Sequence, residues 1–338
     1  MTIQPLSNRP PEISVTEAIE PAYDRVKRML FQPFNLSKWI VLGFCAWLAG
    51  LGESGCGGGY SGFNGANPDG HGAQPGEQFR HFYHQTSDYV LANLDWIIPL
   101  AAFLILLLLA IWLLVLWLSS RGKFMFLHCV VWDKAEVDVP WHQYASAANS
   151  LYRFRLAVGA VGLIIFLPLL GFVAASIIRM VLQGEPDLAG ILLAVGLVMV
   201  MMILGIVFVL IRKLTMDFVV PILFLRGGNC LAAWREFGRL LSANPGKFTV
   251  YILFQIVLSM LIQALVVAAI VVTCCIACCF LLIPFVGTVL LLPVLVFKRA
   301  YPLYYLAQYG PLYDVFPKPP AAPPVSDAPI SPLAPAAP

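Results

Sequence analysis

Of the 338 residues, 60% are hydrophobic and only 12% are charged, about half the charged fraction of an ordinary soluble domain. That balance excludes a water-soluble globule as the main body of the chain and makes a bilayer its natural solvent. A net charge of +3 leaves no basic surface on the scale that nucleic acid requires, so no nucleic acid is expected as a partner.

In chain order, residues 1–14 read as an N-terminal cytoplasmic tail without the charged start, short apolar run and small-residue cleavage site of a removed signal peptide. Crossing about 30 Å of hydrocarbon takes roughly 20 apolar residues. Trp39 to Gly52 falls short of that and becomes a span if Leu36 is included and Lys38 snorkels to the interface. Trp96 to Leu118, Leu156 to Ile178 and Leu188 to Ile211 meet the requirement with no charged residue inside. Phe248 to Phe297 is also free of charge, too long for one span and suited to two joined tightly around Pro284.

The expected fold class is therefore all-α: a polytopic membrane domain over residues 15–316, with six transmembrane helices arranged as three hairpins. Charge tests that count. With the amino terminus in the cytoplasm, every one of the 21 lysines and arginines except Arg80 and Arg179 falls on the cytoplasmic side. A wrong number of spans would scramble this partition, so both termini are expected in the cytoplasm. Trp39, Trp96, Trp117, Tyr301, Tyr304 and Tyr305 stand at span edges, where they read as interfacial belts or as ordinary core packing.

Three segments repeat one design: "AYDRVKRMLFQPFNLSKW" before the first span, "PWHQYASAANSLYRFRL" before the third and "AAWREFGRLLSANPGKF" before the fifth. Each places apolar residues at helical spacing, then a break at Pro33, Asn149 or Asn244-Pro245, then a basic residue beside an aromatic. In the third copy Trp234, Phe237 and Leu241 share a face, with Arg235, Glu236 and Arg239 around the other side. Each hairpin is thus expected to follow a cytoplasmic interfacial amphipathic helix. Two segments stand outside this plan. Residues 53–87 are expected to form a glycine-rich extracytoplasmic loop, and residues 317–338 a disordered cytoplasmic tail rich in proline and alanine.

No catalytic phrase is present: there is no phosphate loop, HExxH, nucleophile elbow or dinucleotide fingerprint. The chain is not expected to be an enzyme or to need a cofactor. Ionisable residues inside spans are the usual pointer to transport. Asp217 is the best candidate, one helical turn from Lys213, where a structural salt bridge is the plainer account, with Pro221 placed to free the carbonyl four residues earlier. Glu53, at the outer mouth of the first span, is the second candidate, or else a solvated helix end. His81 and His84, near His71, Asp69 and Glu77, offer a weak zinc or copper set against a plain solvated face. The stretch "VVTCCIACC" puts Cys274 with Cys278 on one helical face and Cys275 with Cys279 on another. Near the outer end of the fifth span, on the same side as Cys56, these thiols either pack as small apolar groups, form a disulfide within the hairpin or to Cys56, or hold a metal with a second element.

The phrases "PFNLSKWIVLGFCAWLAGLGESGCGGG", "DFVVPILFLRGGNCLAAWREFGRLLSANPGKFTVY" and "CCIACCFLLIPFVGTVLLLPVLVFKRAYPLYYLAQYGPLYDVF" resemble a broad group of six-helix bacterial membrane proteins of largely unknown function. That group is similar in architecture to the membrane domain fused to some glycerophosphodiester phosphodiesterases. The resemblance implies the bacterial inner membrane and brings no catalytic or binding residues. Only the proline-rich tail follows Phe316, so phosphodiesterase activity is not expected to carry over. The resulting expectation is a non-catalytic multi-pass protein that organises membrane lipids or an unidentified membrane protein partner. The alternative is a transporter or flippase for an apolar or amphipathic substrate.

Overall fold

The computed structural model describes residues 13–51, 93–183, 188–273 and 283–316. Among them every regular element is helical. Helix α1 (Ile19–Phe31) carries its buried residues Ala22, Val26, Met29 and Leu30 as one stripe, the pattern of an amphipathic helix laid on a core. Helix α2 (Leu36–Gly50) starts at Asn35, whose side chain accepts from the Ser37 and Lys38 amides. The first predicted break is thus where Pro33 placed it.

Helix α3 (Leu94–Trp132) has 39 residues and at 1.5 Å per residue runs for roughly 58 Å, about twice the thickness of a hydrocarbon layer. It has two halves. Up to Val115 it is apolar and mostly exposed, and from Leu116 to Val131 most of its residues are buried. The unit of α1 and α2 holds the far end of this helix. Arg25 donates to the Val130 carbonyl at 2.8 and 3.0 Å and to that of Val131 at 2.7 Å. These carbonyls belong to the last turn, which has no intrahelical donors of its own. Lys38 Nζ lies 2.9 Å from Asp133, the left-handed residue that ends the helix.

Gly122 sets how closely α2 and α3 approach, because a Cβ there would lie 2.6 Å from the backbone of Leu48 and Ala49. Backbone cannot swing aside as a side chain can. Gly122→Ala is therefore expected to cost about 1–3 kcal/mol, against a neutral or slightly stabilising Gly171→Ala, where nothing lies within 4 Å. Thermal unfolding of the two variants in nanodiscs checks the contrast.

A short helix, α4 (Asp138–Gln143), and Tyr144 lead into α5 (Ala145–Gln183). The break expected at Asn149 does not occur. Helix α5 is continuous through it, and the chain turns at Tyr144 instead. Asn149 has only modest helix propensity, but its neighbours Ala147, Ala148 and Leu151 are buried and hold the turn in place. Helix α6 (Leu188–Leu214) passes through a π-helical turn (Thr215–Val219) into α7 (Val220–Arg226). Two positive-φ glycines, Gly227 and Gly228, turn the chain into α8 (Cys230–Ala243), and α9 (Pro245–Val272) follows after Asn244. Then come α10 (Pro284–Leu290), α11 (Leu292–Ala307) and a single 3-10 turn (Pro311–Tyr313).

The core sits at one end of the long helices. Phe218 is its centre, with ring centroids 5.1 Å from Phe237, 5.2 Å from Phe248 and 4.9 Å from Tyr251. The N-terminal segment is fastened to the same base, where Ser14 and Gln308 exchange two hydrogen bonds at 2.9 and 3.0 Å and the Tyr301 hydroxyl donates to the Val15 carbonyl.

Four helices, Leu94–Trp132, Ala145–Arg179, Leu188–Arg226 and Pro245–Val272, are long and apolar enough to cross a membrane. The first and third have no buried residue in their most apolar stretch. The other two expected spans are not helices of that length. Helix α2 has 15 residues, and the last span is divided at Leu291 into α10 and α11. Tyr301 and Tyr305, offered above as interfacial residues or as core, are core: both are fully buried.

Candidate functional site

The π-turn is where polar groups from four elements meet inside the base. Its origin is local. The Val220 amide bonds to the Thr215 carbonyl, five residues back, so it does not serve Met216. The next residue, Pro221, has no amide to offer. The Met216 carbonyl is thus left without a main-chain donor, and Arg299 of α11 supplies one at 2.8 Å. Proline thus leaves a carbonyl to be served from outside the helix, and Arg299 serves the one at Met216.

The same turn points Asp217 inward. Its side chain is 8% exposed, and its Oδ2 lies 2.9 Å from Lys213 Nζ, whose own side chain is 43% exposed. The spacing of Lys213 and Asp217 along the helix predicts that pairing. On the other side the Tyr251 hydroxyl donates to the same oxygen at 2.9 Å, and Gln255 Nε2 donates to the Tyr251 oxygen at 3.1 Å. Lys123 of α3, buried at 4% exposure, places its ammonium 3.0 Å from the Met216 sulfur. Lys298 is within electrostatic reach of Lys213.

One carboxylate thus sits among several cations, tied to an ammonium, a phenol and through it an amide. Such a carboxylate is a structural knot: its charge is compensated and its hydrogen bonds join α6, the π-turn and α9. Tyr251→Phe removes the phenol link alone and is expected to cost about 1–3 kcal/mol, read as a lower unfolding midpoint with the helix content unchanged.

Further knots hold the rest of the base. Arg121 lies over Trp117 at 4.8 Å and Trp141 at 4.9 Å and donates to the Trp141 carbonyl. Arg155 of α5 donates to the hydroxyls of Ser119 and Ser120 on α3. Arg226 meets Glu236 with 2.7 Å between its Nη2 and Oε1, joining α7 to α8.

The remaining residues singled out by the sequence do not join this site. Glu53, Cys56, Cys274, Cys275, Cys278 and Cys279 lie outside the described residues, as do His71, His81 and His84. Cys45, Cys129 and Cys230 are buried free thiols. Among the described residues no three His, Cys, Asp or Glu side chains are grouped to hold a metal ion. Sequence reasoning missed Tyr251, Gln255, Arg299 and Lys123. Tyr251 and Gln255 do carry a signal, a tyrosine and a glutamine one helical turn apart in an otherwise apolar run.

No curated protein and no solved structure matches the chain. A family of unknown function, DUF7544, matches it over residues 13–316, nearly its whole length, and the chain belongs to that family.

Proposed function

We propose that this is a non-catalytic multi-pass protein of the bacterial cytoplasmic membrane that holds lipid around its long helices. The observation that carries this reading is the division of the molecule. Polar and charged side chains are knotted together at one end, while the apolar stretches of Leu94–Trp132 and Leu188–Arg226 have no buried residue. Apolar surface of that extent is covered by acyl chains in a bilayer. An unidentified membrane protein partner is the other possible cover for the same faces.

In this reading α2 and the pair α10 and α11 complete six crossings, in three hairpins with both termini cytoplasmic. The charge partition supports it, as does Lys38, whose ammonium reaches Asp133 at the base rather than lying in hydrocarbon. The base then faces the cytoplasm, and its excess of lysine and arginine attracts anionic headgroups. Asp217, the best candidate for a transport role, is held by Lys213 and Tyr251, the structural account that its spacing favours, and this supports holding lipid over moving a substrate. The likeness to the phosphodiesterase-linked membrane domain rests on the quoted sequence phrases alone and adds no activity.

The test is to excise the protein from its membrane with polymer, without detergent, and compare the lipids carried along with those of the bulk membrane. Enrichment of anionic phospholipid is expected. A lipid composition identical to the bulk, with no co-purifying protein, would remove the reading.

A further inference from the structure

Beside the base, between α5, α6 and the start of α8, lies an open groove of about 750 Å³, within the range of ligand pockets. Its two ends differ in chemistry. One end is walled by Val158 and Val161 of α5 and Phe208 and Ile211 of α6. Val161 is 51% exposed and opens this wall sideways, toward the surface that the proposed function assigns to lipid. The other end carries Arg153 and Arg235 with Ser150 and Asn229. No acidic side chain lines the groove. Neither arginine is in an ion pair among the described residues, unlike Arg226 nearby, which Glu236 neutralises.

The polar end has a built frame. The Ser150 hydroxyl accepts from the Cys230 amide at 2.8 Å, fixing the first turn of α8 against α5. The 14-residue α8 begins there, so its cap and first residues, Asn229 to Ala232, line the groove at the positive end of the helix dipole. Burial pushes the Cys230 thiol up to about 12, so it adds a neutral wall and no negative charge. From Arg153 to Val161 along α5 is roughly 12 Å at 1.5 Å per residue. The groove therefore passes from paired cations to pure hydrocarbon over the distance separating a lipid phosphate from the upper part of its chains.

We propose that this groove is a specific site for one anionic phospholipid, its phosphate held by Arg153 and Arg235 and an acyl chain laid between α5 and α6. Guanidinium suits the task because its planar fork donates two hydrogen bonds to phosphate oxygens. The proposal rests on the reading of the molecule as a lipid-holding membrane protein and adds the place and the headgroup.

The experiment is native mass spectrometry of the full chain released from vesicles of equal phosphatidylglycerol and phosphatidylethanolamine. Wild-type protein is expected to retain one phosphatidylglycerol. Arg153→Gln with Arg235→Gln is expected to lower that retention about tenfold or more, the loss of at least one charge-assisted contact. Arg153→Lys with Arg235→Lys keeps the charge and is expected to retain the lipid in part. Unfolding midpoints show that the variants are folded, and Val161→Trp, which fills the apolar end and leaves both arginines, is expected to lower retention as well. Undiminished retention in the glutamine variant overturns the site while leaving general lipid enrichment intact. A wild-type protein with no retained lipid and no enrichment in polymer-excised membrane overturns the underlying reading too.

Discussion

Asp217→Ala is expected to unfasten the base, lowering stability by about 2–4 kcal/mol, the sum of an orphaned buried hydroxyl at Tyr251 and a half-exposed ion pair at Lys213. The substitution leaves the Lys213 ammonium without its carboxylate and the Tyr251 hydroxyl without its acceptor, each 2.9 Å away in the intact protein. Asp217→Asn keeps the shape and one acceptor oxygen, so it should fall between the two. The combined variant Lys213→Met with Asp217→Leu removes both charges and should recover much of the loss, because an apolar pair of similar volume avoids desolvation. Thermal unfolding of the four proteins in nanodiscs gives this order. A transport role predicts a different pattern, with Asp217→Asn folding as well as wild type.

Phe218→Ala is expected to cost a similar amount, about 3–5 kcal/mol, through the cavity it opens. Phe218 is fully buried and stacks on Phe237 at 5.1 Å with an interplanar angle of 8°, while Phe248 meets it edge-on at 86°. Its neighbours come from α8, α9 and α11, so a void there loosens three elements at once. Phe218→Leu retains most of the volume and should lose less than half as much. As a control, Phe172→Ala changes a side chain that is 66% exposed and should leave the base unaltered.

Much of the architecture is legible from hydropathy because long apolar runs have few folded alternatives. Hydropathy stops short where charged residues are folded into the protein. Hydropathy ends the second span at Leu118, before Arg121 and Lys123, yet the helix runs on to Trp132. Arg121 lies against two edge-to-face tryptophans, Trp117 and Trp141, and Lys123 is buried against Met216. A count of charges treats both as surface groups and so hides the buried half of α3. The pairing of Lys213 with Asp217 was readable because it is local. The contacts of Tyr251 and Arg299 with the π-turn were not, since they join residues 34 and 83 positions apart. Pro221 signals a freed carbonyl, but only the π register shows that Met216 is without a main-chain donor.

The groove was half visible in the same way. In the sequence Arg153 and Arg235 belong to two separate amphipathic segments, and the fold brings them to one groove. Cys274, Cys275, Cys278 and Cys279, by contrast, follow Thr273 and lie outside the described residues.

The central claim is that the protein holds lipid and does not move it. Its most direct test is leaflet exchange of a fluorescent phosphatidylglycerol in proteoliposomes, read by a membrane-impermeant reductant that destroys only outer-leaflet label. The account predicts the same protected fraction in vesicles with and without the protein. Loss of that protected fraction in protein-containing vesicles, abolished by a folded Asp217→Asn variant, would contradict it.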